Sequence, residues 1–388
     1  MRDRLASLGA WLTHTRSIWS PRPFCGDPPW LARESSLVAW LLARSENDLE
    51  SLEPSLEVAR ETIHPRLAAL VRDGMTLAHL DPLPARSSSP GVARAYGVPA
   101  RKWIQLQSFV PRLVPATFVD WCAGKGHLGR TIASLWSRTG TALEIDPVLV
   151  RAGEALAARE HASLDFRSVD VLDPALDTSI VCDRTLVALH ACGDLGDRAV
   201  QVAAAASASG LAWAPCCFHR GREGFTPWSA EGQVLGRLTK EELRLPTTDE
   251  TVTSPRTRWQ RRTAMAYRLG LDELRAEATG QRTYVSLRSV PDSWLSDGFE
   301  TYCRRMARQF AVPLPKAPDW DGAERVGRER TARARRLGLV RAAFRRPLEV
   351  WLALDRAVWL TDQGLEVEVG TFCERAVTPR NVLVSASR

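Results

Sequence analysis

The chain has 388 residues, of which 45% are hydrophobic and 25% are charged. This is the composition of a soluble globular protein with room for two or three domains, and no apolar run approaches the roughly 20 residues that span a bilayer. The N terminus also lacks the small-residue cleavage site of a signal peptide. We therefore expect a cytoplasmic protein without a membrane segment.

Charge and cysteine usage narrow the class further. The formal net charge is +7, and lysine occurs only four times, so nearly all of the positive charge is arginine. Arginine suits phosphate recognition, but genomic base composition explains the same bias, so composition alone only permits a polyanionic partner. The eight cysteines do not form the even framework of a small secreted domain, which indicates reduced thiols.

Residues 1–82 form a predicted N-terminal helical domain. Apolar residues recur at three- and four-residue spacing through 35–52 and 61–75, and no catalytic constellation occurs there. The stretch 83–100 is rich in Ser, Pro, Gly and Arg, which predicts a linker.

From residue 101 the pattern changes to alternating strands and helices. Short apolar runs predict five strands, and the periodic segments between them predict helices. The strands are expected at 116–120, 141–146, 165–171, 184–192 and 210–217, and the helices at 127–138, 147–161 and 196–208. Units of this length predict an α/β protein with a doubly wound sheet.

The C-terminal segment is expected to continue the same sheet. An amphipathic helix over 347–364 precedes two predicted strands within 365–374 and 380–387. If both strands join the sheet, the catalytic domain covers 101–388. It then contains a long insertion, 222–346, after the fifth strand.

The segment FVDWCAGKGHLGR, residues 118–130, holds a glycine-rich turn between the first strand and the first helix of this domain. Gly124 to Gly129 is a literal G-x-G-x-x-G, and Glu144 follows twenty residues after the first glycine, as in a dinucleotide site. Asp120 argues against NAD, because an acid just before the turn is poorly placed beside a pyrophosphate. S-adenosylmethionine (SAM) has no phosphate, and its ammonium and sulfonium groups are cations that a carboxylate attracts. We therefore predict SAM as the cofactor.

The predicted cofactor residues continue from this turn to the ends of the next strands. Cys122 takes the place of the first glycine in the i, i+2, i+4, i+6 spacing of the methyltransferase glycine motif. Glu144 can hold both ribose hydroxyls, and Asp170 can accept from the adenine amino group. The full predicted set is Asp120, Cys122, Ala123, Gly124, Gly126, Glu144, Asp170, Val171 and His190. The alternative is that the glycines only form a tight turn and the acids only cap helices.

Three segments, DWCAGKGHLGR, ALHACGDL and APCCFHR, are similar to the methyltransferase family related to the tRNA position-four 2′-O-methyltransferases. That family includes the methyltransferase-like proteins once labelled rRNA adenine dimethylase domain proteins, and the glutathione S-transferase C-terminal domain-containing protein. The segments CERAVTPRNVLVSAS and GVPARKW extend the resemblance, which covers 95–220 and 347–388. The resemblance implies a class I methyltransferase (Rossmann-like) fold that binds SAM. The family's substrates are varied, so the resemblance does not fix the acceptor.

The fourth and fifth predicted strands end in histidine, cysteine and aspartate. Ligands of open α/β sheets bind beyond the carboxyl ends of the strands, so these groups should face the transferred methyl. Methyl transfer needs an aligned nucleophile and often a base. The predicted catalytic residues are His190, Asp194, Cys217 and His219. Phe218 is predicted to stack on the acceptor.

Three alternatives stay open at this edge. His190 and Cys192 can be packing residues at the top of a buried strand. His190, Cys192, Cys216 or Cys217, and His219 can bind zinc, although their spacing is unusual and we assign no metal. Cys216 follows a proline, as does the nucleophile of cytosine C5 methylation, whereas the resemblance favours O- or N-methylation.

Two arginine-rich stretches, 256–262 and 327–346, lie in the predicted insertion. Arginine interleaved with tryptophan suits RNA through phosphate contacts and stacking, and the alternative is a solvated helical face. The predicted substrate-binding residues are Arg258, Trp259, Arg261 and Arg262. We predict a SAM-dependent methyltransferase that modifies an oxygen or nitrogen of RNA, either tRNA or rRNA. The alternatives are a protein or small-molecule methyltransferase, or a non-catalytic RNA-binding scaffold with a vestigial SAM site.

Overall fold

A computed structural model describes residues 1–57, 59–86, 96–113, 116–248, 254–288 and 290–388. Half of the predicted linker, residues 87–95, lies outside the described residues. Where the chain is described, no helix combines the length and the hydropathy that crossing a membrane requires.

Helices and strands alternate through the middle of the chain, as the sequence predicts. The α-helices of the described residues are α1 (Arg2–His14), α2 (Arg16–Trp19), α3 (Ser35–Leu42), α4 (Glu46–Ser55), α5 (Pro65–Leu77), α6 (Ala100–Phe109), α7 (His127–Trp136), α8 (Pro147–Arg159), α9 (Asp194–Ala205), α10 (Lys240–Leu243), α11 (Pro255–Thr279), α12 (Phe299–Phe310), α13 (Trp320–Ala342) and α14 (Arg345–Asp362). The strands are β1 (Phe118–Trp121), β2 (Gly140–Glu144), β3 (Leu164–Ser168), β4 (Thr185–Leu189), β5 (Gly210–Ala214), β6 (Glu366–Thr371) and β7 (Val382–Ser387).

The seven strands form one sheet in the order β3-β2-β1-β4-β5-β7-β6. Strands β1 to β5 pair in parallel, and β7 lies antiparallel between β5 and β6. The strand order reverses between β1 and β4, which is the point where ligands of doubly wound sheets bind. All seven predicted strands are present, and the predicted α/β doubly wound class is confirmed.

Several strands end earlier than the sequence predicts. The chain leaves the ladder after Ser168, Leu189 and Ala214, whereas the predicted strands continue for three residues beyond each of these positions. At β4 the cause is local, because His190 has a φ of 68°, a left-handed conformation that cannot extend a strand. The polar residues that follow the strands therefore lie in turns at the edge of the sheet.

The contacts divide the chain into two compact units. Unit 1 comprises residues 1–13, 74–249 and 345–388, and unit 2 comprises residues 14–73 and 250–344. The whole sheet belongs to unit 1. This division differs from the predicted boundaries, because most of the predicted N-terminal domain shares a unit with most of the predicted insertion.

Ion pairs of α13 explain why the N-terminal segment and the predicted insertion share unit 2. Arg333 pairs with Asp27 at 2.9 Å, and Arg335 pairs with Glu46 and, at 3.5 Å, with Glu53. The arginine run over 327–346 thus binds acids of the N-terminal segment through Arg333 and Arg335, within unit 2. It is not the uniformly solvated face that a charged run usually forms.

The segment 35–52, predicted to be helical, contains two helices. Helix α3 ends at Leu42, and Ser45 begins a capping box for α4. The Ser45 Oγ accepts from the Asp48 N–H at 3.1 Å, and the Asp48 carboxylate accepts from the Ser45 N–H at 2.8 Å. Reciprocal capping satisfies amides that a continuous helix would bond internally, so the chain breaks there.

A buried ion network joins α14 to α9 in unit 1. Asp355 is fully buried and accepts from the Trp228 N–H at 3.0 Å and from the Ser229 hydroxyl at 2.7 Å. Arg356 lies against Asp355 at 2.5 Å and forms a bidentate pair with Asp197 of α9, at 2.8 and 2.9 Å. The carboxylate of Asp355 therefore fixes the chain after β5 against α14.

Removing this carboxylate should destabilise unit 1. We expect Asp355→Ala to lower the free energy of unfolding by about 3 kcal/mol, because it leaves the Trp228 N–H and the Ser229 hydroxyl without this acceptor and removes one of the two carboxylates that pair with Arg356. The control is Asp165→Ala on β3, whose carboxylate is exposed and whose loss should cost less than about 0.5 kcal/mol. Urea unfolding followed by circular dichroism measures both, and equal losses would contradict the assigned role.

Candidate cofactor and acceptor site

The glycine-rich turn runs from the end of β1 to the start of α7. Cys122, Gly124 and Gly126 all have left-handed backbones, with φ values of 56°, 59° and 64°. A Cβ on Gly126 would lie 2.5 Å from a ring carbon of Phe166, so only glycine fits there. Cys122 stands where the methyltransferase motif has glycine and still adopts the conformation that glycine favours.

Asp120 lies beneath this turn, buried between β1 and α7. Its carboxylate accepts from the Gly129 N–H at 2.8 Å. Burial raises the pKa of Asp120 to about 7, while the Gly129 N–H and the charge of Lys102 oppose that rise. The group therefore changes charge close to neutral pH, and a bound cation would favour its ionised form.

The two other predicted acids follow β2 and β3. Glu144 is buried and accepts from the Gly124 N–H at 2.8 Å and from the Asp146 N–H at 3.0 Å. Asp170 is exposed and accepts from the Leu172 N–H at 2.9 Å, which holds its turn beyond the end of β3. Both carboxylates thus lie at the carboxyl edge of the sheet.

Several of the predicted cofactor residues lie close enough to the Cys122 thiol to change its pKa. Burial and the charges of Glu144, Asp120, Cys192 and Asp170 together raise its pKa to about 12. Ala123 of the turn and Val171 of the loop after β3 are both buried. The structure thus brings the predicted cofactor residues together at one edge.

Helix α6 contributes two polar residues that the sequence reasoning missed. Burial lowers the pKa of Lys102, while the nearby charge of Asp120 raises it. Gln105 is buried, and its Oε1 lies 3.0 Å from Nε2 of His190. Neither residue belongs to a catalytic motif. In the sequence analysis, only the family resemblance of the segment GVPARKW pointed to this helix.

Histidine and cysteine residues cluster after β4 and β5. Burial lowers the pKa of His190 to about 4, with Lys102 contributing, and its Nδ1 is buried without a hydrogen-bond partner. Burial also lowers the pKa of His219, whose Nδ1 is likewise buried and unpartnered. The Sγ atoms of Cys192, Cys216 and Cys217 all lie within 4.8 Å of one another.

Two of the residues predicted for the acceptor side are engaged within the fold. Asp194 is the first residue of α9, and its carboxylate accepts from the Arg222 N–H at 2.9 Å, so it holds the loop after β5. The Phe218 ring is buried and packs edge-on against Trp213 and Phe225, at 6.0 and 5.7 Å between ring centroids. Phe218 thus lies in the aromatic core, and a stacking role for it stays a prediction.

The residues predicted to bind RNA lie on α11 in unit 2. Trp259 is 57% exposed, as a stacking residue should be. Arg262 pairs with Glu50 at 2.6 Å, so part of its charge is neutralised within its own unit. Arg258 and Arg261 lie on the same helix, and their role in binding stays a prediction.

Residues 105–223 match the model of a family described as a methyltransferase domain. The chain carries a methyltransferase domain. The match begins at Gln105 and contains the glycine turn, the three acids and the cysteine cluster. It confirms the predicted enzyme class, a SAM-dependent methyltransferase, and with the strand order it confirms the class I fold. The narrower resemblance to tRNA and rRNA enzymes stays a prediction.

Comparisons with curated proteins and with solved structures do not narrow the function beyond the methyltransferase domain. No curated protein matches the chain. Among solved structures the chain is similar to a coclaurine N-methyltransferase bound to N-methylheliamine and SAH, at 11% identity with a TM-score of 0.28. That alignment covers 70% of this chain and 93% of the other chain. A likeness this weak carries no argument about the acceptor.

The pKa of Asp120 predicts how cofactor affinity depends on pH. Below pH 7 the carboxyl is neutral and no longer attracts the cationic cofactor, so affinity should fall as the pH falls. We expect the Kd for SAM to rise about tenfold between pH 7.5 and pH 6.0, because each unit below the pKa costs about a factor of ten. Calorimetry at both pH values measures this change. Asp120→Asn should bind more weakly and show a flat profile, and a flat profile in the unmodified protein would contradict the role of Asp120.

Proposed function

We propose that this SAM-dependent methyltransferase modifies an oxygen or nitrogen atom of RNA. The observation that carries the choice of RNA is the positive charge around the acceptor edge in unit 1. Lys102, Arg380 and Arg101 act electrostatically on His190, and Arg244 and Arg220 act on His219. Arginine forks suit phosphates, so a polyanionic acceptor fits this edge better than an apolar small molecule does.

The proposed cofactor contacts follow the three acids. Asp120 faces the cationic end of SAM, Glu144 accepts from the ribose hydroxyls and Asp170 accepts from the adenine amino group. In the described structure Glu144 bonds the Gly124 N–H, which keeps its carboxylate aimed at the turn. A carboxylate oxygen has two lone pairs, so the same group can hold the turn and accept from the ribose.

The proposed acceptor contacts divide into positioning and chemical roles. Asp194 positions the loop after β5 through the Arg222 N–H, and Gln105 orients His190. His219 follows in that loop, and its imidazole is the proposed base for the proton that the acceptor loses. Methyl transfer is an in-line displacement, so a small error in this alignment would slow it strongly.

Tritiated cofactor tests the acceptor class directly. The protein is incubated with methyl-labelled SAM and with total RNA or total protein, and each fraction is counted separately. We expect label in RNA, with at least a hundredfold loss for Glu144→Ala, because one lost charged hydrogen bond costs about 3 kcal/mol. The control is Glu154→Ala on the exposed side of α8, which should keep full activity. Label in protein alone would overturn the RNA proposal, and so would label in neither fraction.

Two sets of three arginines test where RNA binds. One triple variant replaces Arg220, Arg244 and Arg380 by Gln, and the other replaces Arg258, Arg261 and Arg262 by Gln. Each phosphate contact contributes about 0.7 to the slope of log affinity against log salt on single strands. We expect the first variant to lower this slope by about two, and the second to lower it less, because Glu50 already pairs with Arg262. Fluorescence anisotropy over a salt series measures both slopes, and the reverse order would place the RNA on α11.

A further inference from the structure

Three cysteine thiols meet where β4 and β5 end. Cys192 lies three residues after the end of β4, and Cys216 and Cys217 follow the end of β5. Their Sγ atoms all lie within 4.8 Å of one another, and all three cysteines are free thiols. Four ligands around zinc, with Zn–S bonds of about 2.3 Å, place neighbouring sulfurs about 3.8 Å apart. The three thiols therefore need to move by only about 1 Å to bind one ion.

The thiols have few other partners among the described residues. The Cys192 thiol donates to the carbonyl oxygen of His190 at 3.0 Å, and the Cys216 thiol approaches the same oxygen at 3.9 Å. A sulfur hydrogen bond is weak, and two thiols share one acceptor here. Soft thiolate ligands select zinc among the common divalent ions.

His190 follows the end of β4 and can supply a fourth ligand if its side chain moves, because its ring nitrogens are not among the ligand atoms that lie within 4.8 Å of one another. Its Nε2 lies 3.0 Å from Oε1 of Gln105, so this nitrogen carries the proton that the amide oxygen accepts. Its Nδ1 is then left with a lone pair, and that atom is buried without a partner. A histidine that binds metal through one nitrogen commonly donates from the other to an oxygen in this way.

We propose that Cys192, Cys216 and Cys217 bind one zinc ion at the acceptor edge, and that the His190 side chain moves to supply the fourth ligand. Binding releases the three thiol protons, so three thiolates and Zn²⁺ carry a net charge of −1. Lys102, Arg380 and Arg101 lie within electrostatic range of His190 and offset that charge. The ion ties the end of β4 to the end of β5 and so holds the loop that carries His219.

Metal content and a cobalt titration test this site. Protein purified without chelator should contain about one zinc per chain, as measured by inductively coupled plasma mass spectrometry. After removal of the metal under reducing conditions, one equivalent of Co²⁺ should give the near-ultraviolet sulfur-to-cobalt charge-transfer band and the visible bands of a tetrahedral site. We expect Cys192→Ser, Cys216→Ser and Cys217→Ser each to bind zinc at least tenfold more weakly.

Matched variants separate the site from unspecific binding. Cys182→Ser removes an exposed thiol outside the cluster and should keep the metal. His190→Ala should weaken zinc at least tenfold, whereas His219→Ala should not, although both imidazoles have a buried Nδ1 without a partner. Loss of zinc on His219→Ala alone would overturn His190 as the fourth ligand.

Alkylation of the unaltered protein provides a test that does not depend on a variant folding. With zinc bound, iodoacetamide should spare three cysteines that it modifies in the metal-free protein, and peptide mass spectrometry should identify them as the three of the cluster. Less than one-tenth of a zinc per chain, together with no charge-transfer band, would overturn the site. A metal-free protein with a disulfide between two of the three thiols would overturn it as well.

Discussion

The buried carboxylate of Asp120 constrains the whole cofactor edge. A carboxylate out of water needs compensating donors or a neighbouring positive charge, because its ionised form is otherwise strongly disfavoured. The Gly129 N–H of α7 supplies the donor and Lys102 of α6 supplies the charge. These two requirements bring α6 and α7 to the end of β1. The tight turn between β1 and α7, through Cys122 and the glycines, brings the Gly129 N–H to this carboxylate.

Helix α6 lies near both the proposed cofactor side and the proposed acceptor side of this edge. Gln105 reaches His190 at the end of β4, while Lys102 lies near Asp120 at the end of β1. Cys122 on the turn and Cys192 after β4 influence each other electrostatically. The reversal of strand order between β1 and β4 makes this possible, because the two strands are neighbours whose following helices lie on opposite faces of the sheet. A ligand held at β1 is therefore adjacent to groups held at β4.

Arginine has two different roles in this protein. In unit 2 the arginines of α13 pair with acids of the N-terminal segment, such as Asp27 and Glu53, and stabilise that unit. In unit 1 the arginines around His190 and His219 lie at the edge where we propose that the acceptor binds. A count of arginines along the sequence cannot separate these roles, because it does not contain the positions of the acids. The ion pairs of α13 weaken the case for RNA binding along 327–346.

The sequence by itself determined the strands and the positions of the acids that follow them. A buried strand appears in the sequence as an apolar run, so β1 to β7 were predictable from local pattern. The positions of Asp120 and Glu144 near the ends of their strands were predictable in the same way. The capping box at Ser45 was present in the sequence as well, yet the apolar periodicity across 35–52 concealed it. Phe218 was predicted to stack on the acceptor, whereas in the structure its ring is buried against Trp213 and Phe225.

Only the tertiary structure decided which distant residues meet. Gln105 and His190 are 85 residues apart, and no local pattern joins them. The same holds for the three thiols after β4 and β5, and for the grouping of the N-terminal segment with the insertion. A local sequence pattern predicts the helix or strand to which a residue belongs. Contacts between elements depend on strand order and on compensation of buried charge, which are properties of the folded chain.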